Sequence, residues 1–150
     1  MKADLNLLKK LRNETSFSIA DLRKALEETN NDYKKALEWI KKTGIKKAKK
    51  KAERVTAQGI IESYIHQNGK VGTIVELLCE TDFVARTSEF KNLAHEIAMQ
   101  VAAMKPSDVN ALLEQEYIRD QSIKIQDLIK QAITKLGENI VIKKFERFEI

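Results

Sequence analysis

At 150 residues the chain has room for one compact unit, or for a small unit beside a modest core, and excludes two full-sized domains. Ordinary apolar content with high charge and few aromatics describes a globular chain, and the formal charge of +5 favours an acidic partner, either a protein surface or a phosphate backbone. One cysteine, Cys79, rules out an internal disulfide and suits a reducing compartment, and no apolar run approaches the roughly 20 residues that span a bilayer, so a soluble, cytoplasmic protein without membrane contact is expected.

The first fifteen residues carry Asp4 and Glu14 and read as a folded helix, not as a signal or transit peptide. Three short helices are expected within residues 3–43. Leu5, Leu8 and Leu11 share a face of the first, and Thr15-Ser16 breaks it. Ser18 with Asp21 three residues on resembles a capping box, ahead of a second stripe of Ile19, Leu22, Ala25 and Leu26. Asn30-Asn31 marks a turn, Tyr33, Ala36, Leu37 and Ile40 follow at helical spacing, and Gly44 is the natural stop. Helices this short are stable only when packed together, so 1–45 reads as a three-helix bundle.

From Lys41 to Arg54 there are eight basic residues against one acid, Glu53. This run reads either as a phosphate-binding strip or as a solvated linker helix. The linker, 46–58, is the preferred reading, because no aromatics interleave with the lysines to stack bases.

Past Gly59 the apolar period changes. Residues 60–66 and 71–77 are rich in β-branched side chains and flank Asn68-Gly69, which predicts a hairpin with a tight type I′ turn. The second strand ends at Leu77-Leu78-Cys79, and a helical pattern begins at Ser88-Glu89-Phe90. Between them Asp82 and Phe83 stand side by side. On residue chemistry alone Phe83 reads as a core plug and Asp82 as a helix-capping acid. Phe90, Leu93, Ala94, Ile97, Ala98 and Val101 then mark a long amphipathic helix ending near Pro106.

Ser107-Asp108 caps a short helix with Val109, Leu112 and Leu113; residues 117–123 carry no clear pattern. Ile125, Leu128, Ile129, Ala132, Ile133 and Leu136 describe another helix, stopped by Gly137. The tail from Asn139 to Ile150 alternates as a closing strand with a bulge at Lys143-Lys144. The core, 59–150, is thus an α+β unit with a three-stranded antiparallel sheet covered by helices. One sheet face is left hard to cover, with Tyr64, Phe145 and Phe148 contributing to it, and a homo-oligomeric or partner interface is expected there.

No phosphate-cradling glycine motif is present, His66 and His95 lie far apart, and no Cys/His cluster has metal-ligand spacing. Cys79 lacks a paired histidine and reads as a small buried hydrophobe, and Glu27-Glu28 reads as an exposed pair. No catalytic constellation and no cofactor are expected.

The string Glu76-Leu77-Leu78-Cys79-Glu80-Thr81-Asp82-Phe83-Val84-Ala85-Arg86 resembles the signature of the elongation factor Ts family, whose most diagnostic core is Thr-Asp-Phe-Val. A second match runs from Leu11-Arg12-Asn13-Glu14-Thr15-Ser16-Phe17-Ser18-Ile19 through Arg23-Lys24-Ala25-Leu26. A third covers Gly137-Glu138-Asn139-Ile140-Val141-Ile142-Lys143-Lys144-Phe145. The resemblance implies an N-terminal ubiquitin-associated-like bundle, a basic linker and an α+β core. It also implies a guanine-nucleotide exchange factor, not an enzyme of covalent chemistry, acting on elongation factor Tu in its GDP-bound form.

In that family the Thr-Asp-Phe-Val segment inserts beside the partner's nucleotide site and disturbs the bound magnesium and phosphate loop. Carried over, Asp82 and Phe83 are the acting pair, with Thr81 and Val84 shaping the segment. Arg12, Ile19 and Ala20 are the matching contacts of the N-terminal bundle. Family members often carry larger side chains where this chain has Ala20, and usually asparagine where it has Leu78. The chain is also shorter than most members, compressed around 106–123; short members pair two copies through their sheets, which implies a homodimer. The basic RNA- or ribosome-binding module built on residues 46–54 is the competing reading.

Overall fold

The computed structural model describes residues 1–15 and 17–150, which form two compact units, Met1–Lys50 and Lys51–Ile150. The first contains α1 (Leu5–Thr15), α2 (Ile19–Glu28) and most of α3 (Tyr33–Lys51). Leu8, Leu11, Leu22, Ala25, Leu26, Ala36 and Ile40 are its buried core. Leu5, expected on the same face, is instead 69% exposed. At about 100° per residue Leu7, Leu11 and Leu8 fall within one arc and Leu5 lies beyond its edge, so Leu7 packs in its place. Ile19 likewise leaves the stripe of α2 and is 45% exposed. The break expected at Thr15-Ser16 falls partly on Ser16, which lies outside the described residues; α1 ends at Thr15.

Asn30 and Asn31 both take positive φ, as the α2–α3 turn requires. The Asn31 side chain accepts from Asp4 N–H and donates to the Lys2 carbonyl, while Asp4 caps α1 by accepting from Asn6 and Leu7 N–H. Gly44 does not stop α3. Positive φ would be needed for that role, and Gly44 is not among the positive-φ glycines; it sits buried in a stripe of Ala36, Ile40, Gly44 and Ala48. The basic run therefore begins as the last turns of a long helix with one face buried.

In the second unit β1 (Gln58–Ile65) and β2 (Val71–Cys79) form the expected hairpin, and β5 (Val141–Glu149) pairs with β2 on its other side, all antiparallel. The turn differs from expectation. The His66 carbonyl accepts from Gly69 N–H at 2.8 Å and only Gly69, not Asn68, has positive φ, so it is no type I′ turn, which needs two such residues. Asn68 instead accepts from Lys70 N–H. Gly59 permits close approach of the strands: a Cβ there would lie 2.1 Å from the Leu77 carbonyl oxygen.

Helix α4 (Asp82–Ala85) and the long α5 (Ser88–Met104) follow β2, with α6 (Val109–Glu114) next. Residues 117–123, without pattern in the sequence, lie largely in a two-stranded ribbon of β3 (Glu116–Tyr117) and β4 (Asp120–Lys124). Buried Gln100 organises it, donating to the Glu116 carbonyl and accepting from Ile118 N–H. Helix α7 (Ile125–Leu136) ends at Gly137, φ +78.

Helix α5 packs on the sheet face formed by Thr73, Val75, Leu77 and Cys79. Thr73 donates to the Ala98 carbonyl and Arg147 to that of Ala102, joining sheet to helix by polar contacts within the apolar layer. The bulge expected at Lys143-Lys144 is present: Glu76 pairs with Lys144 and Leu77 with Ile142. Tyr64 and Phe145 are corrections. They sit opposite Thr73 and Val75, on the covered face, and the Tyr64 ring meets His95 of α5 edge-on. Phe148, an odd number of residues from Phe145, lies on the open face with Ile61, Ile65, Ile74 and Val141, all exposed.

One polar link of the first unit titrates. Ser18 caps α2, and Asp21 accepts from Ser18 O–H at 2.7 Å and from Lys47 Nζ at 2.6 Å. Burial pushes the Asp21 carboxyl up, but the bonds from Lys47 and Ser18 outweigh it and hold the group below its ordinary 3.8. A carboxyl lowered on folding contributes stability above its unfolded value and loses that contribution as pH falls through the folded one. Lys47→Met should cost about 0.5–1 kcal/mol at pH 7, with the deficit closing below about pH 4. Urea unfolding followed by fluorescence of Trp39, the single tryptophan, which packs on this unit's core, measures it.

Candidate partner-binding site

The exit of β2 turns into α4 through Thr81, whose extended backbone (φ −124°, ψ 153°) makes it the N-cap. Its Oγ1 accepts from Val84 N–H at 3.4 Å, and its carbonyl accepts from Ala85 N–H. Thr87 then caps α5, accepting from Phe90 N–H. Two caps six residues apart leave a single helical turn between two rigid elements.

That turn is pinned from below. Ala85 is 3% exposed and Val84 half-buried, while Cys79 is fully buried beneath them and its thiol donates to the Thr81 carbonyl at 3.2 Å. Burial first, and the nearby Glu138 carboxylate second, push the Cys79 thiol up, which keeps it protonated and a donor. Glu138, from the end of α7, accepts from Glu80 N–H at 3.1 Å and Thr81 N–H at 2.9 Å with one oxygen, and from Thr81 O–H at 2.6 Å with the other.

On the outer side the arrangement is reversed. Phe83 is 86% exposed, so the core-plug reading is wrong; the plug is Phe90, fully buried seven residues on. Asp82 is not the capping group either: Thr81 holds that position, and Asp82, 55% exposed, pairs with Arg86 at 2.7 Å. The odd-numbered logic of a strand gives way here to a helical turn, and that turn carries the ring outward.

The four residues of the Thr-Asp-Phe-Val segment are thus brought together, and Leu78, half-buried on the open sheet face opposite Val141, lies just upstream. In the first unit Arg12, Ile19 and Ala20 are all exposed. Nothing in the local chemistry of Glu138 sets it apart in the sequence beyond its place in the third signature string. Among the described residues no group of three or more His, Cys, Asp and Glu side chains could hold a metal, and no helix is long and apolar enough to cross a membrane.

This is an α+β chain with a bare aromatic ring on a pinned helical turn, and exposed rings of this kind are typical anchors in protein–protein contacts. The family model described as Elongation factor TS matches residues 80–150. Elongation factor Ts of Thermotoga maritima is 42% identical over all of this chain and 97% of its own length. The chloroplastic elongation factor Ts of Guillardia theta is 43% identical, covering 95% of this chain and 86% of the relative, and that of Methylacidiphilum infernorum is 40% identical over 97% and 94%. The Thermotoga alignment runs over 193 positions against 150 residues here, so it opens gaps within this chain. The chain belongs to the elongation factor Ts family, and its role lies in translation elongation.

The two phenylalanines should separate sharply under substitution. Phe83→Ala, at an exposed position, should change unfolding stability by no more than about 0.5 kcal/mol, whereas Phe90→Ala should cost about 3–5 kcal/mol. Urea melts followed by far-UV circular dichroism give both values.

Proposed function

We propose that this chain binds elongation factor Tu carrying GDP and speeds release of the nucleotide by displacing the magnesium bound with it, acting as an exchange factor that makes and breaks no covalent bond. The observation that carries this reading is the 86% exposure of Phe83 on a turn fastened on its inner side. Inserted between helices of the partner, the ring contributes roughly 1.5–3 kcal/mol of apolar burial to a shift there. Asp82 exchanges its solvent-screened pairing with Arg86 for the polar network around the partner's magnesium. GDP is held largely through that ion and the backbone amides at its phosphates, so moving them weakens it.

Thr81 and Val84 shape the segment, the first by capping α4 and the second by anchoring its inner side. The chain supplies no cofactor of its own. Coupling is reciprocal: the factor weakens GDP by the ratio that GDP weakens the factor.

The bundle of residues 1–45, read as ubiquitin-associated-like, makes a second contact with the partner's nucleotide-binding domain through exposed Arg12, Ile19 and Ala20. The core, 59–150, is also a dimerisation unit: two copies pair through the open sheet face, where Ile61, Ile65, Ile74 and Phe148 are 46–71% exposed. The setting is cytoplasmic, in keeping with the free thiol of Cys79.

Release of mant-GDP from elongation factor Tu tests the mechanism. The double change Asp82→Ala with Phe83→Ala should lower stimulated release on the order of 10–100-fold, the loss of one buried ring and one polar contact. Release at the parent rate would refute the assignment. Sedimentation tests the pairing: the parent should run as two copies at tens of micromolar and Ile74→Lys as one, since a buried lysine opposite its own copy is strongly disfavoured. A parent that sediments as a single copy sinks the dimer.

A further inference from the structure

The turn that carries Phe83 is fastened by a residue 55 positions away in the chain. Gly137, φ +78, reverses the chain at the end of α7 and sets Glu138 against the exit of β2. Its two carboxylate oxygens take three donors, the N–H groups of Glu80 and Thr81 and the Thr81 hydroxyl, all within 3.1 Å. The clasp is returned: Glu80 Oε1 accepts from Asn139 N–H at 2.8 Å and lies 3.6 Å from Arg54. Asn139, 3% exposed, donates its amide to the Ala52 and Arg54 carbonyls, which fixes the stretch on which Glu138 stands.

We propose that Glu138 is a positioning residue for the exchange segment. Its carboxylate fixes the orientation of Thr81 and hence where α4 begins, and the start of a single-turn helix decides which way each of its side chains faces. A free phenyl ring gains by folding back onto apolar surface of its own chain; Phe83 does not, because the turn cannot rotate while three charge-assisted bonds hold its first residues. The consequence for nucleotide release rests on the reading given above, whereas the consequence for the ring's position does not.

A reporter separates the two. Full-length chain with Trp39→Phe and Phe83→Trp carries its only tryptophan on the turn. Acrylamide should quench it freely in the otherwise unchanged chain. Adding Glu138→Ala should lower the quenching constant by about twofold as the ring folds back, with a cooperative melt retained. Glu138→Gln, which keeps the length and one acceptor oxygen, should restore part of it. A constant equal to or above that of the Glu138 form overturns the proposal, as does a Gln variant indistinguishable from Ala.

With native Phe83 and Trp39, Glu138→Ala should lower the maximal rate of mant-GDP release at saturating factor by about tenfold, the scale of a lost charged hydrogen bond, and Gln should recover part of it. A change confined to the half-saturating concentration counts against positioning. If the reporter responds but release is unaltered both here and in the Asp82→Ala, Phe83→Ala chain, the exchange reading falls and the positioning of the ring stands.

Discussion

Three donors at the exit of β2 converge on one carboxylate, and the outward set of the Phe83 turn follows from that contact. Glu138 takes the backbone N–H groups of Glu80 and of the cap residue Thr81 together with the Thr81 hydroxyl, so Thr81 is fixed before α4 begins. Cys79 and Ala85 fill the space beneath, and the side chains left over, Asp82 and Phe83, point outward. The exposure of Phe83 forgoes roughly 1.5–3 kcal/mol of burial. In the proposed complex with the partner, burial of the ring would recover it.

The same logic, polar anchors inside an apolar layer, recurs across the sheet. Thr73 and Arg147 bind successive carbonyls of α5, at Ala98 and Ala102, and Gln100 between them holds the β3–β4 ribbon. Each anchor sits at a helix or strand position that apolar packing alone would leave free to slide. One face of the sheet is thereby locked to its helix, while the other keeps its isoleucines in water. Two of the exposed apolar features of this unit, the open sheet face and the Phe83 ring, belong to separate elements of one core.

Much of this was legible from residue order. The stripes of α5 and α7, the hairpin, the stop at Gly137 and the bulge in the last strand all follow from periodicity and glycine chemistry. What failed depended on contacts that spacing does not encode. Gly44 carries the chemistry of a stop, but burial of Ala48 a turn further on draws α3 through it. Asn68-Gly69 has the composition of a type I′ turn, yet the Asn68 side chain bonds Lys70 and the turn forms one residue earlier. The ribbon at 117–123 owes its shape to Gln100, distant in sequence. At the site itself, residue chemistry alone placed Phe83 inside. Only the family signature pointed outward, and no local pattern could have announced that Glu138 would meet Thr81.

The bulge in β5 has a bearing on how this chain can vary in length. Ile142 and Phe145 are three apart, yet both face α5, because the ladder skips Lys143 between them. Side-chain parity thus changes midway along one strand. Removing Lys143 would straighten the ladder with Ile142 and Phe145 still on the covered face, whereas removing a residue from the regularly paired stretch would turn one half of β5 inside out. Substitution there is cheap, since Lys143 is exposed, and so is loss of that one unpaired residue; a one-residue change in the paired stretches on either side is not. The connections between elements are freer to change length, because no alternation has to be kept in phase there.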